Sequence, residues 1–152
     1  MELRHAFVAD AAQSTPDGKI WVLGGDFDTI FVPKFPVMHP AMALVLKITM
    51  QPLECDREHQ LRIELVDDDG KKVHDPIQLS FHAQPDPRHP HRPVGVGMVL
   101  NFQNLRFEGP GNNSFHILVD DIELGRVPLY LVRRDVAAET DLKPGMTQDP
   151  LQ

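Results

Sequence analysis

Alternation of apolar and polar side chains is the feature that most constrains what this chain can fold into. From Met42 to Met50 every even position is apolar, and the same two-residue period recurs from Leu61 to Leu65 and from Val94 to Phe102. Successive side chains of a β-strand point to opposite faces, so each run predicts a strand with one face toward a core. Because no helical periodicity separates these runs, the sequence predicts an all-β protein.

Turn sequences divide the chain at short intervals. The segment Ser-Thr-Pro-Asp-Gly at residues 14–18 predicts a first hairpin, and Asp-Asp-Asp-Gly at residues 67–70 predicts a second one. Apolar parity changes between Leu124 and Val127, which predicts a β-bulge near Gly125. We therefore predict an antiparallel β-sandwich of about eight strands, immunoglobulin-like or with a similar Greek-key arrangement, with a closed β-barrel as the alternative.

Length and periodicity together predict one domain followed by a tail. The chain has 152 residues, 41% of them hydrophobic, and a domain of this size buries roughly 70% of the surface of its unfolded chain. The strand pattern ends at Arg134. We expect a single β-sandwich domain at residues 1–134 and a flexible C-terminal tail at residues 135–152.

Composition narrows the location and the classes of partner. The one cysteine, Cys55, has no internal disulfide partner, and the first residues lack the apolar run of a secretory signal. No stretch reaches the roughly 20 apolar residues of a membrane span. A net charge of -7 opposes binding to phosphate backbones. We expect a cytoplasmic protein that binds neither membranes nor nucleic acid.

Sequence signatures of catalysis are missing from this chain. Ser14, Ser80 and Ser114 lack the glycine-flanked turn of an activated serine. Cys55 is followed by Asp56, and a negative neighbour opposes thiolate formation. The two glycine-rich segments, Gly24-Gly25 and Gly109-Pro110-Gly111, do not precede helices, so neither predicts a phosphate-binding loop. The sequence therefore predicts a protein that is not an enzyme, with no catalytic residue and no cofactor.

A histidine-bearing segment at residues 82–93 raises the possibility of a metal or small-ligand site. It carries four prolines, and His89 and His91 are two positions apart, so their rings share one side of an extended chain. His82 or a carboxylate would complete such a ligand set. The simpler interpretation is a stiff, solvated connector between two strands.

Acidic turns raise the separate possibility of a calcium site. If successive strands alternate in direction, residues 67–69 and 120–121 lie at opposite ends of the domain and cannot share an ion. We interpret these aspartates as turn residues. The same argument places one group of polar residues together at one end: Asp17, Cys55, Asp56, His89, His91 and Asp120.

Residues 30–40 are unusually apolar for a connector between strands. They include Phe31, Phe35, Val37 and Met38 together with three prolines. One interpretation is that the segment folds across an open edge and covers the core. The other is that it forms a docking surface for a protein partner or a second copy of the chain. We predict partner binding or self-association through these four residues. Trp21 and Tyr130 are further aromatic candidates, although strand aromatics are more typical of core or sheet-face packing.

The chain also resembles a family of small, uncharacterised bacterial proteins. The resemblance covers most of residues 3–133, including the segments at 35–37, 61–70 and 115–131. It implies a bacterial, self-contained β-domain and transfers no catalytic residue. Its opening motifs are Phe7-Val8-Ala9-Asp10-Ala11-Ala12-Gln13, Asp17-Gly18-Lys19 and Leu23-Gly24-Gly25.

Overall fold

A computed structural model describes residues 1–135, and this part of the chain folds into nine β-strands with one turn of 3-10 helix at Pro52–Glu54. All of the predicted tail except Asp135 lies outside the described residues. The strands are β1 (Glu2–Ser14), β2 (Ile20–Phe27), β3 (Thr29–Val32), β4 (Val37–Met50), β5 (Glu58–Asp67), β6 (Ile77–His82), β7 (Val94–Phe107), β8 (Gly111–Val119) and β9 (Ile122–Arg133).

The strands form two sheets that pack face to face. The first sheet has the order β2-β1-β4-β7, and the second has the order β3-β9-β8-β5-β6. The prediction of an all-β sandwich is confirmed. One strand was missed: β3, within residues predicted as strand end and connector, pairs in parallel with β9, while the other pairings within the two sheets are antiparallel.

The core lies between the two sheets and follows the predicted alternation. The even positions of β4 from Met42 to Met50 are buried, and Phe115 and Ile117 of β8 are also buried. Burial of such side chains is the main favourable term in folding, at about 25 cal/mol for each Å² of apolar surface removed from water.

In β4 and β7 the side chains that face the core change from even-numbered to odd-numbered residues. The change occurs where Pro40 and Asn104 lie opposite each other. Beyond this point Leu105 and Phe107 face the core, although the preceding inward positions of β7 are even. Asn104 adopts a left-handed backbone with φ of 53°, and Pro40 has no N–H to donate. As a result, Met38 points outward while its neighbours Val37 and His39 are partly buried.

A bulge in β9 confirms the predicted change of register. Ile117 pairs with Gly125 and Leu118 pairs with Glu123, which leaves Leu124 as the extra residue. The bulge therefore lies one residue before the predicted position. A Cβ at Gly125 would come 2.6 Å from Leu3 Cδ2, so glycine allows β1 to approach β9 closely.

The first sheet is strongly curled. Ala9, Ala43 and Val45 are buried even though alternation places them on the face opposite the core. Ile20, on one edge of this sheet, reaches across to Gly97 on the other edge, where a Cβ would lie 3.2 Å from Ile20 Cδ1. The outer face of the first sheet thus covers a small apolar cluster of its own.

Candidate functional site

The predicted contact segment at residues 30–40 is divided between core and surface. Phe35 and Val37 pack against the core. Phe31 is 55% exposed and Met38 is 53% exposed. Val37 and Met38 point in opposite directions because they are neighbours in β4. Partner binding through this segment stays a prediction.

Phe31 belongs to a group of exposed side chains that we call the β3–β9 patch, formed by Phe31, Tyr130 and Val132. The parallel register pairs Phe31 with Val132, and Tyr130 lies two positions earlier on the same face of β9. The guanidinium of Arg134 lies 5.1 Å from the centre of the Phe31 ring. The patch thus has an apolar centre with a cation at its rim, a composition typical of protein interfaces.

A second exposed group occupies the outer edge of the first sheet. Trp21 is 70% exposed and Leu23 is 72% exposed, and Val22 between them is also exposed. Core packing as an explanation for Trp21 is therefore wrong. The ladder between β1 and β4 ends at Ala9, whereas Trp21 pairs with Gln13, so this half of the hairpin extends beyond the core. We call residues 20–23 the β2 edge.

The β5 start and the β8–β9 turn hold a buried histidine that the sequence reasoning missed. His59 is fully buried, with Nδ1 2.6 Å from Asp120 Oδ2 and Nε2 2.6 Å from the carbonyl oxygen of Glu54. Both ring nitrogens therefore face oxygen atoms, and the ring is held from two sides. The sequence did carry a signal. His59 is two positions before Leu61, and alternation therefore places it on the same buried face of β5 as Leu61 and Ile63.

Asp120 is fixed by the backbone as well as by His59. It has a left-handed φ of 50°, and its Oδ1 accepts a hydrogen bond of 3.0 Å from the Gln60 N–H. This backbone bond, together with His59 and with Arg57 at 3.2 Å, holds the pKa of Asp120 below its ordinary value. Since both nitrogens of His59 are already bound, its ring has no free nitrogen lone pair for proton abstraction or metal ligation.

A related carboxylate lies beside the same histidine. Glu54 accepts a 2.7 Å hydrogen bond from the amino group of Met1 and a 2.8 Å bond from the Gln51 N–H. The bond from the amino group is the main reason that the pKa of Glu54 lies below its ordinary value. These contacts join the start of β1, the 3-10 turn and the start of β5 in one polar cluster.

The histidine-bearing segment is organised locally. His89 Nδ1 lies 3.1 Å from Asp86 Oδ2, and Asp86 also accepts a 2.9 Å bond from the Arg88 N–H, which is the main reason that its pKa is lowered. Within residues 1–135, which include His82 and His91, no three histidine, cysteine or acidic side chains are placed to hold a metal ion.

Polar residues fall at the two ends of the domain largely as expected. β6 ends at His82 opposite Glu58, and β7 begins opposite Met50, so His89 and His91 lie at the same end as Cys55, Asp56 and Asp120. The acidic turn at 67–69 lies at the opposite end from Asp120. The expectation is wrong for Asp17: because β3 intervenes between β2 and β4, both of these strands run antiparallel to β1, which puts the turn after β1 far from Cys55.

Cys55 is a poor candidate for chemistry in the folded protein. It is buried, and its Sγ lies 3.4 Å from the Gln51 carbonyl oxygen. Burial, followed by the charge of Asp56, raises the pKa of the thiol. A raised pKa leaves little thiolate at neutral pH, and the thiolate is the reactive form.

A cavity of about 400 Å³ lies at the end of the domain opposite His89 and His91, between the β5–β6 and β7–β8 turns. Some of its charged groups are engaged by neighbouring residues or by the turn backbone. Arg106 Nε lies 2.7 Å from Glu108, and Asp67 Oδ1 accepts 2.9 Å bonds from the backbone N–H groups of Asp69 and Lys71. These contacts explain the local shape of both turns.

The fold and its surfaces define an all-β, two-sheet sandwich with apolar side chains exposed on strands. The chain belongs to the family of unknown function DUF6941, whose profile matches residues 4–132, which confirms the predicted membership of an uncharacterised family. No curated protein matches the chain. Within residues 1–135, no helix has the length and apolar character needed to cross a membrane.

Solved structures resemble this chain only weakly. The alkylpurine DNA glycosylase AlkC of Pseudomonas fluorescens, bound to DNA containing an abasic site analog, has 12% identity and a TM-score of 0.44, over 83% of this chain and 30% of that chain. A glycosyl hydrolase family 2 member from Bacteroides cellulosilyticus DSM 14838 has 13% identity and a TM-score of 0.34, over 62% and 13% of the two chains. A beta-glucuronidase from glycoside hydrolase family 2 has 15% identity and a TM-score of 0.30, over 65% and 10%. The chain spans less than a third of each of these proteins.

Proposed function

We propose that this protein is a non-enzymatic interaction module that self-associates through apolar side chains exposed on its strands. The observation that carries the proposal is the grouping of these side chains. The β2 edge places Trp21 and Leu23 on one face, with Val22 exposed on the other, and the β3–β9 patch places Phe31 beside Val132. Single exposed apolar residues are normal on a protein surface, whereas contiguous groups mark interaction sites.

The chemistry of the polar residues also supports a non-enzymatic role. Both ring nitrogens of His59 are engaged, and the Cys55 thiol is buried with a raised pKa. The proposal therefore includes no cofactor. It also includes a cytoplasmic location, supported by a single cysteine that is free and buried.

Net charge determines how the association should respond to salt. Two copies that each carry a formal charge of -7 repel each other, and this repulsion is screened over roughly 8 Å at 0.15 M ionic strength. Burial of apolar surface is not weakened by salt in this way. Association should accordingly be stronger at 0.3 M than at about 0.02 M salt.

The test is the molar mass of the full chain by light scattering after size exclusion, over a concentration series, for the wild type and for Phe31→Asp and Met38→Asp. We expect the wild type to associate as concentration rises. A weaker association in Phe31→Asp or Met38→Asp would assign the contact to that side chain, and an unchanged association would leave the β2 edge as the contact. Leu53→Asp is the matched control, because Leu53 is 93% exposed and lies in the 3-10 turn away from both groups. A wild type that stays monomeric throughout would refute the proposal.

A further inference from the structure

Within residues 1–135, no strand pairs with the outer side of the β2 edge. β2 is the last strand of its sheet. Across the hairpin turn, the Thr15 N–H donates a 2.9 Å bond to the Lys19 carbonyl oxygen. In an antiparallel ladder the hydrogen-bonding direction alternates along the strand, so Lys19, Trp21 and Leu23 bond toward β1. The N–H and C=O groups of Ile20 and Val22 therefore point away from the sheet.

Residues 20–23 lack the features that usually prevent pairing, and the bulge of β2 lies beyond them, at Asp26. Natural edge strands are protected by charged side chains, proline or bulges. Ile20, Trp21, Val22 and Leu23 include no charge and no proline, and the regular backbone continues until Gly24, where φ becomes 61°. In the part of the chain that the structure describes, residues 20–23 thus form a short apolar segment whose outward backbone groups have no strand partner.

We propose that a second copy of this chain occupies the β2 edge, with the two β2 strands antiparallel about a two-fold axis at Val22. The inference rests on the proposed self-association and names the surface and register responsible. Val22 forms a hydrogen-bonded pair with Val22 of the partner subunit, and the two four-stranded sheets become one continuous sheet.

Side-chain complementarity selects this register. With the axis at Val22, Trp21 lies opposite Leu23 of the partner subunit, and this apolar pair occurs twice by symmetry. Moving the axis to Trp21 would place Leu23 opposite Lys19 of the partner subunit. Moving it to Leu23 would place Trp21 opposite Gly25 of the partner subunit. Only the axis at Val22 gives both large side chains an apolar partner.

Charge favours the antiparallel direction as well. Asp26 and Asp28 lie at the C-terminal end of β2, and Lys19 precedes its N-terminal end. Antiparallel pairing brings the acidic end of each strand toward Lys19 of the partner subunit. Parallel pairing would bring the two acidic ends together, and like charges at close range are destabilising.

A cysteine at the axis tests the register directly. Val22→Cys in the full chain should form an intersubunit disulfide under mild oxidation, because hydrogen-bonded antiparallel pairs have Cα atoms about 5.5 Å apart, within the range that a disulfide spans. Leu23→Cys is the matched control, since it faces Trp21 of the partner subunit rather than its own copy. Cys55 is buried in both variants. Equal crosslinking of the two variants, or none in Val22→Cys, would overturn the register.

Removing a single donor tests the edge itself. Val22→Pro lacks the outward N–H, and this N–H does not bond to β1, so the dimer should be lost while the hairpin is kept. Val22→Thr retains the donor and the β-branched shape and should remain dimeric. Leu23→Lys should also weaken the dimer at least tenfold. If the wild type associates but Val22→Pro and Leu23→Lys associate equally well, the β2 edge is not the contact surface, and the proposed self-association still holds. A monomeric wild type would overturn both proposals.

Discussion

His59 and Asp120 lie 61 positions apart in the chain and are joined side chain to side chain, with Nδ1 2.6 Å from Oδ2. The pair joins the start of β5 to the β8–β9 turn, and the second ring nitrogen binds the Glu54 carbonyl oxygen just before β5. Phe81 stacks on the ring at a centroid distance of 5.6 Å. The buried ring of His59 therefore contacts three segments at one end of the sandwich: the 3-10 turn, β6 and the β8–β9 turn.

Replacing Asp120 with asparagine should destabilise the fold. Asparagine tolerates the left-handed φ of 50° at this position, so the change removes mainly the negative charge that faces His59. Hydrogen bonds to charged groups contribute about 1.5–3 kcal/mol, and we expect a loss of about 2 kcal/mol in the free energy of unfolding measured in urea. Asp121→Asn is the control, because Asp121 also has a positive φ but its carboxylate is exposed; its loss should stay below about 0.5 kcal/mol. Equal losses in the two variants would show that the contact between Asp120 and His59 contributes little.

Acid should weaken the fold through the same cluster. The pKa values of Asp120 and Glu54 lie below the ordinary 3.8 and 4.5, so the unfolded chain takes up protons at these groups before the folded chain does. Their contribution is present above these ordinary values and is lost as pH falls through the folded pKa values. We expect urea midpoints to fall steeply below about pH 4, with a shallower fall in Asp120→Asn. Parallel pH profiles would rule out this linkage for Asp120.

Two phenylalanines on different surfaces should respond differently to truncation. Phe115 is fully buried and packs against Phe102 at a ring-centroid distance of 5.2 Å. Phe115→Ala should therefore cost about 3–5 kcal/mol. Phe31→Ala removes an exposed ring and should change monomer stability by less than about 1 kcal/mol. Urea unfolding at low protein concentration measures both values, and a large loss in Phe31→Ala would mean that Phe31 serves the core.

Trp21 offers an internal probe of association because it is the only tryptophan in the chain. Its exposure in the single copy predicts the red-shifted emission of a hydrated indole. Pairing across the β2 edge would place it against Leu23 of the partner subunit, so emission should shift to shorter wavelength as concentration rises. Val22→Pro should keep the red-shifted spectrum throughout. A wild-type spectrum that does not change while the mass doubles would place the interface elsewhere.

Much of the fold was predictable because two-residue periodicity is a local property. It identified the face of β4 that packs inward and the bulge near Gly125. It did not identify β3, since four residues that pair in parallel with a distant strand leave little local signal. The change from even to odd inward-facing residues at Asn104 depends on its left-handed backbone conformation. The local sequence does not require that conformation. Without β3, the turn at Asp17 was placed at the wrong end.

The candidate surface was harder to predict, because exposure depends on where sheets end. Phe31 and Phe35 are both apolar residues of one segment, yet only Phe35 packs against the core. The exposure of Trp21 arises because β1 and β2 continue past the last pair with β4. The alternation of apolar and polar residues does not show how far a strand extends beyond its neighbours in the sheet. The burial of His59 was predictable, because it alternates with the apolar residues Leu61 and Ile63 in β5.

The most direct test of self-association is the molar mass of the full chain, measured by light scattering after size exclusion as concentration and salt are raised. The account predicts a species of twice the 17.1 kDa chain mass at high concentration, with the transition moved to lower concentration by salt. A mass of 17.1 kDa at every concentration and salt level would contradict it.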